Sequence, residues 1–123
     1  MTTKKQFRIE HVSDLTILTP LPEMGMSSDA WSQAALTSAI GGDDWSDLLV
    51  DLHNLDGFGA GALGFFLTLR RAVRNRNGQM ALCCVPEFGL EVLKATSLDR
   101  LWQIYPSRLE AIEALKAGRS QVA

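Results

Sequence analysis

The chain has 123 residues, a formal net charge of −2 at pH 7 and an apolar share of 46%. Those values fit one compact core and exclude a disordered chain. The acidic balance argues against an electrostatic nucleic-acid binder, and no apolar run approaches the ~20 residues that span a bilayer.

The N-terminus has basic residues without an apolar segment behind them, so it is not read as a secretory signal. From Gln6 to Val12 the sequence alternates weakly, with Phe7, Ile9 and His11 on one face. Leu15 to Leu18 alternates again after Asp14, which predicts a hairpin. Thr19 to Met26 reads as a loop, because its prolines deny a strand its ladder bonds. Ser27, Ser28 and Asp29 offer helix caps; Trp31, Ala34, Ala35, Ser38 and Ala39 follow at helical spacing until Gly41 and Gly42 stop them. Trp45 is expected to cover the core edge.

Leu48 to Leu52 is nearly all apolar, the pattern of a strand covered on both faces. A glycine-rich turn follows, and then Ala62, Phe65, Phe66, Leu69, Ala72 and Val73 form one helical stripe ending at Asn77 and Gly78. Met80 to Val85 is a second apolar strand. Pro86 opens a helix with Phe88, Leu90, Val92 and Leu93 on its apolar side. Thr96 to Leu98 is a turn, and Leu101 to Tyr105 a last strand. Pro106 and Ser107 open a closing helix with Leu109, Ile112 and Leu115 facing in. The order is β-β-α-β-α-β-α-β-α. It predicts one α/β domain over 1–123, frayed at 1–5 and 118–123, with a mixed, mostly parallel sheet of four to five strands and about four helices.

Function is expected in the turn between Asp56 and Gly64. Gly59 to Gly64 matches G-x-G-x-x-G between a strand and a helix, a pattern that brings backbone close to a pyrophosphate. Glu87 lies about 20 residues on, where a ribose-binding acid is expected. Against that, the strand ends well before the glycines, Asp56 adds negative charge, and no room is left for a substrate domain. Small residues folding a tight turn explain the pattern without a ligand.

Elsewhere the chemistry is sparse. Cys83 and Cys84 are adjacent in a strand, so their side chains should point to opposite faces and form neither a disulfide nor a metal pair. They read as small reduced core residues of a cytoplasmic protein. Asp51 and Asp56 show no convergence for acid–base work. His11 and His53 have neither ligand spacing nor a neighbouring nucleophile. Arg70, Arg71, Arg74 and Arg76 form a basic patch, read either as a solvated helix face or as a surface for an acidic partner or lipid headgroups. Phe58 either anchors the turn in the core or is a contact residue. Thr96 and Ser97 are turn residues that could also accept phosphate. No catalytic residue, metal or cofactor is assigned.

The stretch Leu48 to Gly64 resembles the STAS domain of anti-sigma factor antagonists, whose members read V-V-D-L-x-x-V-x-F-x-D-S-S-G-L-G here. The likeness continues through Arg70 to Ala72, Asn77 and Gly78, the strand Met80 to Val85, the stretch Leu93 to Leu101 and the helix Arg108 to Leu115. On this resemblance Gly59 stands where the family has aspartate, Ala60 where it has its first serine and Gly61 where it has its phosphoacceptor serine. Ala62 replaces the following glycine, and Leu63 and Gly64 match. Glycine has no hydroxyl, so the usual phosphorylation switch, which places about two negative charges at a helix N-terminus, cannot operate at Gly61. The resemblance implies a non-catalytic regulator that binds an anti-sigma factor kinase or other signalling protein. Asp56, Phe58, Gly59, Ala60, Gly61, Ala62, Leu63, Arg70, Arg71 and Arg74 would form its partner surface. Two alternatives stand beside it: the small STAS subunit of a lipid-transporting ABC system, and a nucleotide binder using Gly59 to Gly64. Homo-oligomerisation is left open, and membrane insertion is not expected.

Overall fold

The computed structural model describes residues 7–12, 14–21 and 46–121. Five strands form one sheet in the spatial order of the chain: β1 (Phe7–Val12), β2 (Leu15–Pro20), β3 (Asp47–Asp51), β4 (Met80–Cys83) and β5 (Gln103–Tyr105). β1 and β2 are an antiparallel hairpin, and β2 to β5 run parallel. The helices are α1 (Ala60–Asn75), α2 (Glu87–Ala95) and α3 (Arg108–Gln121), with a 3-10 turn at Leu98–Arg100. The expected helix after Ser27 and the placement of Trp45 lie outside the described residues.

Helices cover β2 and β3 on both faces, which the apolar run Leu48, Leu49 and Val50 of β3 reflects. Every residue of both strands is buried. One face carries Leu18, Leu48, Val50 and Leu82 against Ala62, Phe65, Phe66, Leu69 and Val73 of α1, with Leu93 of α2 and Trp102. The other carries Leu15, Ile17, Leu49, Ala81 and Cys83 against Ala111 and Leu115 of α3. The aromatic side chains lock the first layer. Phe66 meets Phe58 edge-on at 5.3 Å and Trp102 at 6.2 Å, and Phe65 stacks on Phe7 at 5.4 Å. Each such pair adds about 0.5–1.5 kcal/mol beyond area burial.

The end of α1 shows how local sequence closes an element. Asn77 is left-handed at φ 57. Its N–H donates to the Arg74 carbonyl and that of Gly78 to the Val73 carbonyl, both at 3.0 Å, which is the Schellman pattern. Gly78 is required for a different reason: a Cβ there would lie 1.7 Å from the Ser46 carbonyl oxygen.

Several sequence expectations change. β2 runs on through Thr19 to Pro20, because Pro20 is the terminal pair opposite Phe7 and the hairpin ends there. β5 begins at Gln103 rather than Leu101, since the Leu101 N–H is turned back to the Leu98 carbonyl. Leu109 faces solvent at 65% exposure while Ala111 and Leu115 face the sheet. Phe88 likewise points outward at 56%, because Gly89 takes the inward position against the ring of Phe58. The two cysteines do not diverge. Cys84 leaves the strand in a left-handed conformation at φ 56, which swings its thiol back toward that of Cys83.

Candidate functional site

The turn after β3 is shaped from below by buried side chains. The Leu52 N–H still pairs with the Cys83 carbonyl, and Leu55 closes back on the Leu52 carbonyl. Leu52, Leu55 and Phe58 are buried, whereas Asp56 between them is exposed. Phe58 occupies a space that exists because residue 89 is glycine: a Cβ there would come within 2.5 Å of the Phe58 ring. Gly57 is packed under Phe88, with its missing Cβ 3.1 Å from that ring.

Gly59 is the N-cap of α1, extended at φ −113 and ψ −160, and it offers no side-chain oxygen to the first turn. No acidic residue stands in that turn either. The first amides of α1, which carry the positive end of the helix dipole, therefore have no side-chain cap. Ala60 begins the helix, Gly61 and Leu63 are half-buried, and Ala62 is fully buried. Phe58 and Ala62 therefore shape this surface from the core and are not contact side chains, since neither ring nor methyl reaches solvent.

The glycines do not act as they do in a dinucleotide fold. There the first glycine makes the strand turn directly into the helix, and the third lets helix and strand pack closely. Here β3 ends at Asp51 and α1 starts at Ala60, and a Cβ on Gly64 would touch nothing within 4 Å.

Along α1, Leu67, Arg70, Arg71 and Arg74 follow the helical repeat on the flank away from the core. With Asn75 they line an open hollow of about 560 Å³. Arg71 and Arg74 are exposed and Arg70 is half-buried.

A second polar cluster sits on the α3 face. Asp51, at the end of β3, is almost fully buried. Its Oδ2 accepts from Arg108 Nε at 2.7 Å, and its Oδ1 accepts from the His53 backbone N–H at 3.1 Å and contacts His53 Nδ1 at 2.8 Å. Arg108 also donates to both carboxylate oxygens of Glu10, at 3.2 and 3.0 Å, and to the Thr19 hydroxyl at 3.0 Å. Burial pushes the Asp51 carboxyl up. The Arg108 hydrogen bond and those of His53 outweigh burial and hold it below its usual value. Burial pushes Arg108 down, and Asp51 and Glu10 reverse that to a raised value. One guanidinium thus ties β1, β2 and β3 to the start of α3.

The Asp51 carboxylate and both thiols have donor atoms within 4.8 Å of one another, the one such group among the described residues. Burial first, and then the charge of Asp51, push both thiols up, so they stay protonated at neutral pH. Both oxygens of the Asp51 carboxylate are already engaged, Oδ2 by the cationic Arg108 and Oδ1 by His53, which leaves a metal ion a poor fit here.

Family comparison assigns the scaffold. The STAS domain family model matches residues 6–111. The chain belongs to the STAS domain family. No protein of curated function matches it in sequence. Among solved structures it is similar to a Thermotoga maritima protein described as an anti-sigma factor antagonist, with 23% identity over 89% of this chain and 94% of that one, at a TM-score of 0.78. An anti-sigma factor antagonist STAS protein from Planctomyces limnophilus shares 21% identity over 89% and 97%, at 0.72. The antagonist SpoIIAA in its unphosphorylated form shares 17% over 90% and 96%, at 0.75. At these identities the likeness is one of fold.

Within the STAS domain, the turn residues and the basic flank of α1 are contiguous along one helix and its entry, as the sequence implies. What sequence reasoning missed is the Asp51–Arg108 pair and its second partner His53. The signal was available, because an aspartate in a strand buried on both faces demands a cation or several donors. Of the remaining candidates, His11 Nδ1 lies 3.1 Å from the Thr16 hydroxyl oxygen. The Thr96 hydroxyl donates to the Val92 carbonyl at 2.9 Å and contacts that of Leu93 at 3.1 Å, while Ser97 is exposed at φ 61.

Proposed function

We propose that this STAS domain is a non-catalytic, cytoplasmic protein-binding regulator that engages its partner without phosphorylation at the turn. The observation that carries this reading is Gly61. It lies in the first turn of α1 and has no hydroxyl, and on the sequence resemblance it corresponds to the family's phosphoacceptor serine. Family fold and turn geometry support a partner of the anti-sigma factor kinase type or another signalling protein. The contact surface is the exposed part of Asp56 to Gly61 with Leu63 and the outer flank of α1.

The test is affinity capture from native cell extract with mass spectrometry of both bait and captured proteins, repeated with Gly61→Asp. An aspartate in the first helical turn is favoured by the dipole, by about 0.3–1 kcal/mol, so the variant should fold. It should nevertheless bind the partner at least tenfold more weakly, because it imposes a charge where the native contact meets backbone. Capture of a signalling partner by unmodified bait, lost with Gly61→Asp, supports the proposal. Unchanged binding by that variant would move the surface elsewhere. Phosphate on Thr96 or Ser97 would mean that the switch has moved. An ABC ATPase as partner would place the domain in a transporter, and saturable nucleotide binding with thermal stabilisation would replace protein binding altogether.

A further inference from the structure

The outer flank of α1 has a charge pattern that its own fold does not use. The helix sequence AGALGFFLTLRRAVRN contains no acidic residue. No ion pair engages Arg70, Arg71 or Arg74 among the described residues, and the ion pairs present gather on Asp51 and Arg108. Arg70 and Arg74 are four residues apart and Arg71 and Arg74 three, so their side chains are neighbours. Like charges at those spacings destabilise an isolated helix. The dipole compensates only near the C-terminus, where Arg74 is the one basic residue of the last turn. Leu67 lies one turn before the arginines, exposed at 39%, and lines the same hollow.

We infer that this hollow receives an acidic amphipathic helix of the partner protein; this rests on the protein-binding reading of the domain. The stripe from Leu67 to Arg74 rises about 10 Å, close to two helical turns. An incoming helix with an apolar residue followed one and two turns on by carboxylates matches it group for group. Guanidinium forks favour carboxylates bidentately, and the apolar contact at Leu67 favours a helix over a diffuse polyanion. The chain's net charge of −2 opposes long-range attraction to nucleic acid or an anionic bilayer, so the complementarity is local.

The test uses a labelled synthetic helical peptide carrying one leucine face and glutamates three, four and seven residues on, followed by fluorescence anisotropy with the full chain. Wild type should bind saturably. Arg71→Gln/Arg74→Gln, both exposed and outside the core, should retain the wild-type melting curve and bind about tenfold more weakly at low salt. That gap should shrink toward unity near 1 M salt, where the Debye length is about 3 Å. A peptide with glutamines for glutamates should behave like the double variant. Equal affinity of wild type and variant, or no saturable binding, would overturn the inference. So would arginine-dependent binding to phosphatidylserine vesicles with none to the peptide, or arginine-dependent dimerisation in sedimentation that excludes the peptide. The two readings separate cleanly. A captured partner lost with Gly61→Asp but kept by the double arginine variant would sink this inference and leave the proposed function standing. Peptide binding without any cellular protein partner would count against the proposed function alone.

Discussion

Replacing Arg108 by alanine strands a charge that the sheet has buried. Asp51 is 2% exposed and holds Arg108 Nε at 2.7 Å. Breaking a fully buried ion pair by removing one partner costs about 3–5 kcal/mol. The Arg108 side chain is 30% exposed, so water entering the gap will resolvate part of Asp51. That brings the expected loss to about 2–3 kcal/mol, the range of a charge-assisted hydrogen bond, and lowers Tm by roughly 10 °C. The loss of the Glu10 contact adds little, since that pair is solvent-screened. The pH dependence gives a second readout. In the native chain Asp51 titrates below its ordinary value of 3.8. Its contribution is therefore present above that pH and lost as pH falls through the depressed folded value. Without Arg108 the largest lowering influence is gone, so the folded carboxyl takes up its proton at a higher pH than in wild type. Acidification from neutral pH toward 4 and below therefore costs the variant less stability than it costs wild type. Urea unfolding followed by tryptophan fluorescence at pH 7 and pH 4 should show the gap narrowing. Asp51→Asn in the Arg108→Ala background should recover part of the loss. A gap below about 0.5 kcal/mol at pH 7, or one that does not change with pH, would refute the assignment of Asp51 as a buried charge held by Arg108.

Two backbone predictions accompany it. Ser97 is left-handed at φ 61 and exposed, so Ser97→Gly should raise stability by about 0.5–1 kcal/mol in urea unfolding, the relief of strain exceeding the entropy that glycine adds to the unfolded chain. Gly78→Ala places a methyl 1.7 Å from the Ser46 carbonyl oxygen. It should cost about 2–4 kcal/mol, read as Tm by calorimetry, and a cost under about 1 kcal/mol would show that the backbone before β3 yields freely.

The fold was legible wherever a local pattern carried the whole reason for an element. The apolar runs from Leu48 and Met80 announced buried parallel strands, and the spacing from Ala62 to Val73 announced α1 with the face it buries. The errors share one cause, which is that a side chain's neighbours come from elsewhere in the chain. Phe88 and Leu109 are apolar and suitably spaced, yet both face outward: Phe58 fills the place beside Gly89, and Ala111 and Leu115 occupy the α3 seam. The cysteines were assigned to opposite faces by strand alternation, which fails at Cys84 because one left-handed residue ends the alternation. The same holds at the candidate site. The sequence puts the candidate residues Asp56 to Arg74 on one turn and the helix after it, whereas the division between Phe58 and Ala62 in the core and Asp56, Arg71 and Arg74 in solvent required the packed structure. Asp51 in a buried strand signals the need for a partner, but nothing local says that the partner is Arg108, 57 residues on.

Those contacts also explain how the turn keeps its form with no side-chain cap at the start of α1. A capping aspartate or serine would stabilise the start of α1 by about 1 kcal/mol. Gly59 supplies only backbone there. The turn is held instead by Leu55 and Phe58 below it, by Gly89 opening the space for that ring, and by Asp51, whose Oδ1 accepts the His53 N–H at the turn's first residue while its Oδ2 is tied to α3. Shape and modification chemistry therefore reside in different residues. On the sequence resemblance, Gly59, Ala60, Gly61 and Ala62 stand where the family has D-S-S-G, so this stretch offers no hydroxyl while the supports of the turn are present. On the proposed reading, control over the partner then passes from an added charge at the start of α1 to fixed charges along its flank, where Arg70, Arg71 and Arg74 are present in every copy of the chain and respond to ionic strength rather than to a kinase.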